Sequence, residues 1–251
     1  MIDILGIAAH PDDVELSCAG TMLVSKQLGK RTGILDLTRG ELSTRGTLES
    51  RKKETIEASK ILGLDWRGNL DMPDGNIEIT QENMLKVVRI LREQRPTILL
   101  TTPHFERHPD HEAACELAKR AAFYAGLKKI ETVDDKGKNQ EPHRPLLVMH
   151  FMQTYTFEPS VIIDVSGVWK ERMNAVNAYS SQFGIGSSGS QPEQPEKGAH
   201  TFLTQSGFYE SIEAKARHYG MMIGAEFGEP FWTPQTIGTK NPFSLVTRTI
   251  S

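Results

Sequence analysis

Two short runs carry most of the chemistry this chain can offer. The first is Ala9-His10-Pro11-Asp12-Asp13-Val14-Glu15, directly after an apolar opening run. The second, about a hundred residues on, is Arg107-His108-Pro109-Asp110-His111, again just past an aliphatic run. Each supplies imidazole nitrogens and carboxylate oxygens, the donors a catalytic Zn²⁺ takes when it keeps one position open. His10 and Asp13 are three residues apart, as are His108 and His111, and in a helical first turn that spacing lets two side chains reach one point. Four candidate ligands are one more than an open site needs, so one of them has another task. Adjacent carboxylates point in different directions, so Asp12 and Asp13 divide their work, one as ligand and one as a base beside the activated water. A histidine left outside the coordination shell would, if protonated, stabilise an oxyanion or give a proton to a leaving amine, with Asp110 to orient it. Read singly, each run is equally a helix start, because Asp is a favoured N-cap and Pro suits the first helical position. Their pairing, each after a strand, favours the catalytic reading.

The elements that must position them follow from the hydrophobic pattern. Ile2 to Ala9 is a β-branched and aliphatic strand, and about Asp13 to Leu28 is a helix ending before Gly29. Thr32 to Thr38 is a second strand, Arg39 to Gly46 a polar loop, and Thr47 to Leu62 an amphipathic helix stopped by Gly63. A short strand over Leu64 to Leu70 leads to the turn Met72-Pro73-Asp74-Gly75. Thr80 to Gln94 is a Thr-capped helix, Thr97 to Thr102 a strand, and Pro109 to Ala125 an Ala-rich helix. Thr132 to Pro145 reads as a loop, Leu146 to Met152 and Val161 to Val165 as strands, and Val168 to Ser180 as a helix. Gly184 to Gly198 is a low-complexity, flexible loop within a single domain over 1–251. Ser206 to Met222 is the last helix, and the tail from Glu226 is loop-rich. Strand alternating with helix gives an α/β protein with a mainly parallel sheet and helices on both faces. Ligand sites in such sheets gather at the carboxyl ends of the strands, where both runs fall.

Composition narrows the class. With 251 residues, 29 Lys+Arg against 32 Asp+Glu, and no basic cluster, nucleic acid is excluded as a partner. The apolar start is broken by Asp3 and His10 well short of a membrane-spanning length, so a cytoplasmic protein with no membrane partner is expected. Cys18 and Cys115 read as small buried hydrophobes in a reducing compartment. No G-x-G-x-x-G follows the first strand, which counts against a nucleotide-binding oxidoreductase or methyltransferase. A non-catalytic binding protein would have no need for Asp12 and His108.

The runs A-H-P-D-D-x-E and R-H-P-D-H closely resemble the LmbE-like, or PIG-L-like, family of zinc N-acetylglucosamine deacetylases. The resemblance extends from Ile4 past Phe231 and includes Thr44-Arg45-Gly46-Thr47 with Arg51, Gly220-x-x-x-Gly224, and Gly228-Glu229-Pro230-Phe231. These flanking features look most like the bacillithiol-biosynthesis branch, which deacetylates N-acetylglucosaminyl-malate. The alternative is an LmbE-like amidase or deacetylase for a thiol S-conjugate or a chitobiose-like sugar. The resemblance implies a Rossmann-like three-layer sandwich. It also implies His10, Asp13 and His111 as ligands of one Zn²⁺ per chain, with Fe²⁺ as a possible substitute. By the same resemblance Asp12 is the general base, His108 assists the tetrahedral intermediate and leaving group, and Asp110 partners that histidine. Arg51 matches a substrate-contacting arginine, Arg144 a further substrate-side residue, and Tyr209 is the nearest counterpart of a tyrosine at the oxyanion. A small amino-sugar substrate and a homo-oligomer, trimer or hexamer, are expected on the same ground.

Several neighbours are read more modestly. Glu15 is expected to brace the first run through backbone N–H groups, and Arg45, like Arg51, to suit a dicarboxylate aglycone. Arg107 reads either as a substrate contact or as a salt-bridge brace. Trp66, Trp169 and Trp232 are taken as packing residues, and His143, His150, His200 and His218 as structural or exposed.

Overall fold

The structure is a computed structural model, described here for residues 1–183 and 201–246. The strands are β1 (Ile4–Ala8), β2 (Thr32–Asp36), β3 (Trp66–Asn69), β4 (Ile98–Thr101), β5 (Leu147–Phe151), β6 (Val161–Asp164) and β7 (Gly228–Trp232). The helices are α1 (Asp13–Gln27), α2 (Leu48–Leu62), α3 (Gln81–Gln94), α4 (Pro109–Ala125), α5 (Trp169–Asn177), α6 (Ser180–Phe183) and α7 (Phe208–Ile223). The strands form one sheet in the order β3-β2-β1-β4-β5-β7-β6. β1 to β5 are parallel, whereas β7 runs antiparallel to both β5 and β6. This is the expected mainly parallel sheet of a Rossmann-like α/β sandwich.

Alternation along β1 builds both sides of the core. Leu5 and Ile7 join Val87, Val88 and Leu91 of α3 and the alanines of α4 on one face. Ile4 and Ala8 join Val14, Cys18 and Met22 of α1, Leu62 of α2 and Ala175 of α5 on the other. β1 pairs with β2 on one side and β4 on the other, so the strand order reverses between β1 and β4. The loops after β1 and β4 therefore emerge side by side, which is where open α/β sheets form their ligand crevices.

Two expectations are corrected. The tail from Glu226 holds β7, a full strand inserted between β5 and β6, although Gly228 and Pro230 disguise it as loop. The helix read over Val168 to Ser180 is a 3₁₀ turn at Ser166–Val168 followed by separate α5 and α6. The Gly184 to Gly198 segment and His200 lie outside the described residues.

Helix α1 breaks at Cys18, whose φ of −148° is not helical. The break frees backbone groups, and two residues from the far end of the chain meet them. Glu229 on β7 accepts from Gly20 N at 2.9 Å and from Thr21 N and Oγ1 at 2.7 Å each. Arg172 on α5 donates to the Leu16 carbonyl and pairs with Glu229 at 3.5 Å. Gly20 allows the close approach, because a Cβ there would lie 2.7 Å from Val165 and 2.9 Å from the Glu229 carboxylate.

Candidate metal centre and cleft

His10 to Glu15 leave the end of β1 and enter α1. Asp12 holds the N-cap position with φ at 117°, a left-handed conformation rare for a non-glycine residue, and its side chain makes no capping hydrogen bond. The carboxylate that a mere cap would use is left free. It accepts instead from Arg51 Nη1 at 2.9 Å, and the same nitrogen donates to the Pro11 carbonyl. Arg51 is held for this by the first turns of α2, whose Thr47 and Ser50 form a reciprocal capping box. Asp13 turns the other way, accepting from His10 N at 2.9 Å through Oδ2 and from Gln153 Nε2 at 2.9 Å through Oδ1.

The second run enters α4 with His108 as a true cap, its Nδ1 accepting from Asp110 N at 3.2 Å, and Pro109 following. His111, one turn in, brings Nε2 to 3.2 Å from Asp13 Oδ1. His10, Asp13 and His111 thus place one donor atom each within 4.8 Å of one another, and so do His10, His108 and Asp110. Second contacts distinguish the sets. His10 Nε2 lies 3.0 Å from Asp74 and 3.4 Å from Asp110, and Nδ1 lies 3.7 Å from Asp13. With an ion bound, the tautomer that donates from Nε2 to these carboxylates would turn the Nδ1 lone pair towards Asp13, the way metal-bound histidines are usually oriented. The geometry therefore favours His10, Asp13 and His111 as the set that would hold an ion.

The local charges show how tightly these groups are coupled. Burial alone would push His10 down, but hydrogen bonds to Asp110, Asp13 and Asp74 outweigh it and hold the imidazole well above its usual range. Burial likewise works against the charged form of Asp13, yet His111 and His10 keep its carboxyl well below the ordinary value. Burial raises the Asp12 carboxyl to about 7, with the Arg51 guanidinium only partly offsetting it.

Several expectations change. Asp110 does not orient the His108 ring through its carboxylate; it accepts from Gly75 N at 2.7 Å and faces His10. His108 is not favoured as a cation, because burial and the neighbouring His10 and His111 lower it. With Nδ1 accepting a backbone N–H, the neutral ring carries its proton on Nε2. Arg144 precedes β5, at the opposite end of the sheet, where it donates to the Phe123 carbonyl at 2.9 Å and stacks on that ring. It is no substrate residue. Tyr209 spends its hydroxyl on Asn177 at 2.7 Å, and Phe208 rather than Tyr209 lines the cleft. Glu15 braces the run through side chains, not backbone: Arg67 at 2.6 Å and the Tyr179 hydroxyl at 3.0 Å. Arg45 donates from Nε to the Ser181 carbonyl and does not line the cleft, whereas Arg51 lines it while Nη1 holds Asp12.

Two residues went unnoticed in the sequence. Asp74 sits in a Pro-Asp-Gly turn, where an Asp is ordinary turn grammar, and Gln153 has no motif around it. Both act on the cluster directly, through His10 and Asp13. The cluster opens into a cleft of about 980 Å³, whose far wall is α7 and the segment before it. No described helix is long and apolar enough to cross a membrane.

A histidine and aspartate cluster at the switch point of a mainly parallel sheet, with the Arg51-paired carboxylate of Asp12 beside it, marks an α/β protein with a candidate cation site. Residues 5–122 match the family described as PIG-L, GlcNAc-PI de-N-acetylase. The chain is 30% identical to a diacetylchitobiose deacetylase of Thermococcus kodakarensis over 190 residues, 72% of this chain and 70% of that one. It belongs to the PIG-L, or LmbE-like, family of deacetylases. It is also 26% identical to a probable N-acetyl-α-D-glucosaminyl L-malate deacetylase 2 of Bacillus anthracis, over 72% of this chain and 81% of that one. Among solved structures, the conserved protein TT1542 of Thermus thermophilus superposes with a TM-score of 0.81 at 38% identity, covering 97% of this chain and 99% of that chain.

Proposed function

We propose that this chain is a metal-dependent hydrolase that removes the acetyl group from an N-acetylglucosaminyl conjugate, with N-acetylglucosaminyl-malate as substrate. The observation that carries the reading is Asp12: a buried carboxylate, unused as a helix cap, held by Arg51 beside His10, Asp13 and His111. The chain's own residues fit a cation. Four carboxylates (Asp12, Asp13, Asp74, Asp110) and three imidazoles share the cluster with one guanidinium, so negative charge is in excess. Imidazole and carboxylate donors suit Zn²⁺, with Fe²⁺ an admissible substitute. His10, Asp13 and His111 would hold the ion. When bound, it supplies Lewis-acid polarisation of the amide and a lower pKa for water.

The protein groups perform the proton chemistry. Asp12 takes the proton from the attacking water as the carbonyl carbon becomes tetrahedral. His108, neutral, donates a hydrogen bond from Nε2 to the developing oxyanion. Asp12 then returns the proton to the nitrogen, so that the amine leaves as the C–N bond breaks and acetate remains. Arg51 holds the Asp12 carboxylate in place throughout, through Nη1, from a position on the cleft wall. The cleft is large enough for a sugar and its aglycone together.

A second substrate, diacetylchitobiose, is favoured by the higher identity to the Thermococcus relative. Acetate release from N-acetylglucosaminyl-malate, diacetylchitobiose and free N-acetylglucosamine separates the two. Turnover is expected to vanish after chelation and return with Zn²⁺, and His111→Ala protein is expected to lose its metal. Turnover that survives chelation would remove the metal from the mechanism, and preference for the disaccharide would move the substrate.

A further inference from the structure

We propose that Lys215 is the specificity residue for the aglycone: α7 presents its ammonium group to the cleft as the counterion of a substrate carboxylate. This rests on the deacetylase reading above and adds a recognition site to it. Helical spacing on α7 turns one stripe towards the cleft, comprising Phe208, Ser211, Ile212, Lys215, His218 and Tyr219. Lys215 Nζ donates to the Gln153 carbonyl at 2.7 Å, and Gln153 in turn donates through Nε2 to Asp13 Oδ1. The ammonium therefore stands one residue removed from the ligand cluster, where the part of a substrate beyond the acetamido group would lie.

An ammonium has three donors, and only one is used by the protein among the described residues. No carboxylate among them lies within ion-pair distance of Lys215, nor of Arg107, which also lines the cleft and stacks over Phe202. A partly buried cation without a counterion is costly. Burial, and the cation of Arg172, depress Lys215 to about 8, and Glu106 and Glu229 only partly oppose them. A ligand carboxylate would relieve that cost. The wall around it agrees: among the described residues, apart from Asp12, Asp13 and Asp74 at the metal end, no carboxylate lines the cleft, and its other charged side chains are Arg51, Arg107 and Lys215. Such a surface offers an anion a charge pairing that a neutral disaccharide cannot use.

The test is kcat/KM on N-acetylglucosaminyl-malate and on a neutral methyl glycoside of N-acetylglucosamine, for metal-loaded wild type, Lys215→Gln and Lys215→Arg. Loss of a charged hydrogen bond predicts that Lys215→Gln drops about 10- to 100-fold on the acidic substrate, chiefly in KM. The neutral substrate should change little, and Lys215→Arg should recover most of the loss. An equal loss on both substrates would reassign Lys215 to bracing Gln153, and no loss on either would remove the site. A second measurement does not depend on turnover: calorimetric titration of L-malate into the same loaded proteins. Weaker binding to Lys215→Gln than to wild type supports the proposal. Equal affinity, or no binding at millimolar concentrations, overturns it. If neither substrate releases acetate while malate binding still depends on Lys215, the deacetylase reading fails and the anion site stands.

Discussion

Helix α1 carries two buried charged groupings about two turns apart, and they are built on opposite plans. At its break, Arg172 and Glu229 balance one for one, and Glu229 accepts three hydrogen bonds from Gly20 and Thr21 while Arg172 reaches the Leu16 carbonyl. At its first turn, Asp12 and Asp13 stand among Asp74, Asp110 and three imidazoles, with Arg51 as the guanidinium that pairs with Asp12. The first grouping is satisfied from within the chain, so it can serve as a brace. The second carries more carboxylates than guanidinium, so a cation from outside would complete it. Burial of charge is common to both; what separates them is whether the protein supplies the partner.

That contrast can be broken in three places. The largest effect is expected at the first turn: Asp12→Asn should lower kcat by about 10³- to 10⁴-fold, the upper range for a general acid–base group. Because the amide can still accept from Arg51, the urea midpoint should hardly move. An active Asp12→Asn enzyme would place the base elsewhere. Next comes the break, where the order reverses. Arg172→Met leaves Glu229 buried without its cation and should cost about 3–5 kcal/mol in urea unfolding. If instead stability is unchanged, the pair is not the brace described here. The smallest effect is expected at the far end of the same helix, where Lys26 pairs with Asp65 at 2.8 Å with both side chains about one-third exposed. Burial opposes ionisation of Asp65, but hydrogen bonds from Lys26 and from Thr32 N together outweigh it and lower its pKa. The folded value lies below the unfolded one. The contribution is therefore complete above the unfolded value near 4 and is lost as pH falls through the folded value. Asp65→Asn should accordingly flatten the acid limb of the stability curve below about pH 4, by less than about 1 kcal/mol.

The same contrast explains what could be read in advance. β1, β2, α3 and α4 were legible because each buries one regular stripe, as Val87, Val88 and Leu91 do. His10, Asp12, Asp13, His108 and His111 were legible because their types and spacing recur in two runs that the sheet topology brings together. Asp74 and Gln153 were not, because each reaches the cluster from a separate connection with nothing in its neighbours to mark it. Arg144 shows the converse error. A charged residue just before a strand sits at the strand's amino end, and in a parallel sheet that is the end away from the site. β7 escaped notice because its sequence, Gly-Glu-Pro-Phe-Trp, carries two poor strand formers, and its membership is decided by pairing with β5 and β6. Glu229 could not be valued from sequence because its partners lie some two hundred residues away.

The break in α1 has a consequence for assembly. Among the described residues β6 hydrogen-bonds to β7 and to no other strand, and β7 also delivers Glu229 to the amides that the break exposes. Every histidine and aspartate of the cluster is synthesised by residue 111, yet the scaffolding under them is completed only when residues 228–232 slide between two strands already made. A nascent chain would hold this corner half-finished until residues 228–232 had left the ribosome, so translation itself delays the moment at which the corner becomes rigid.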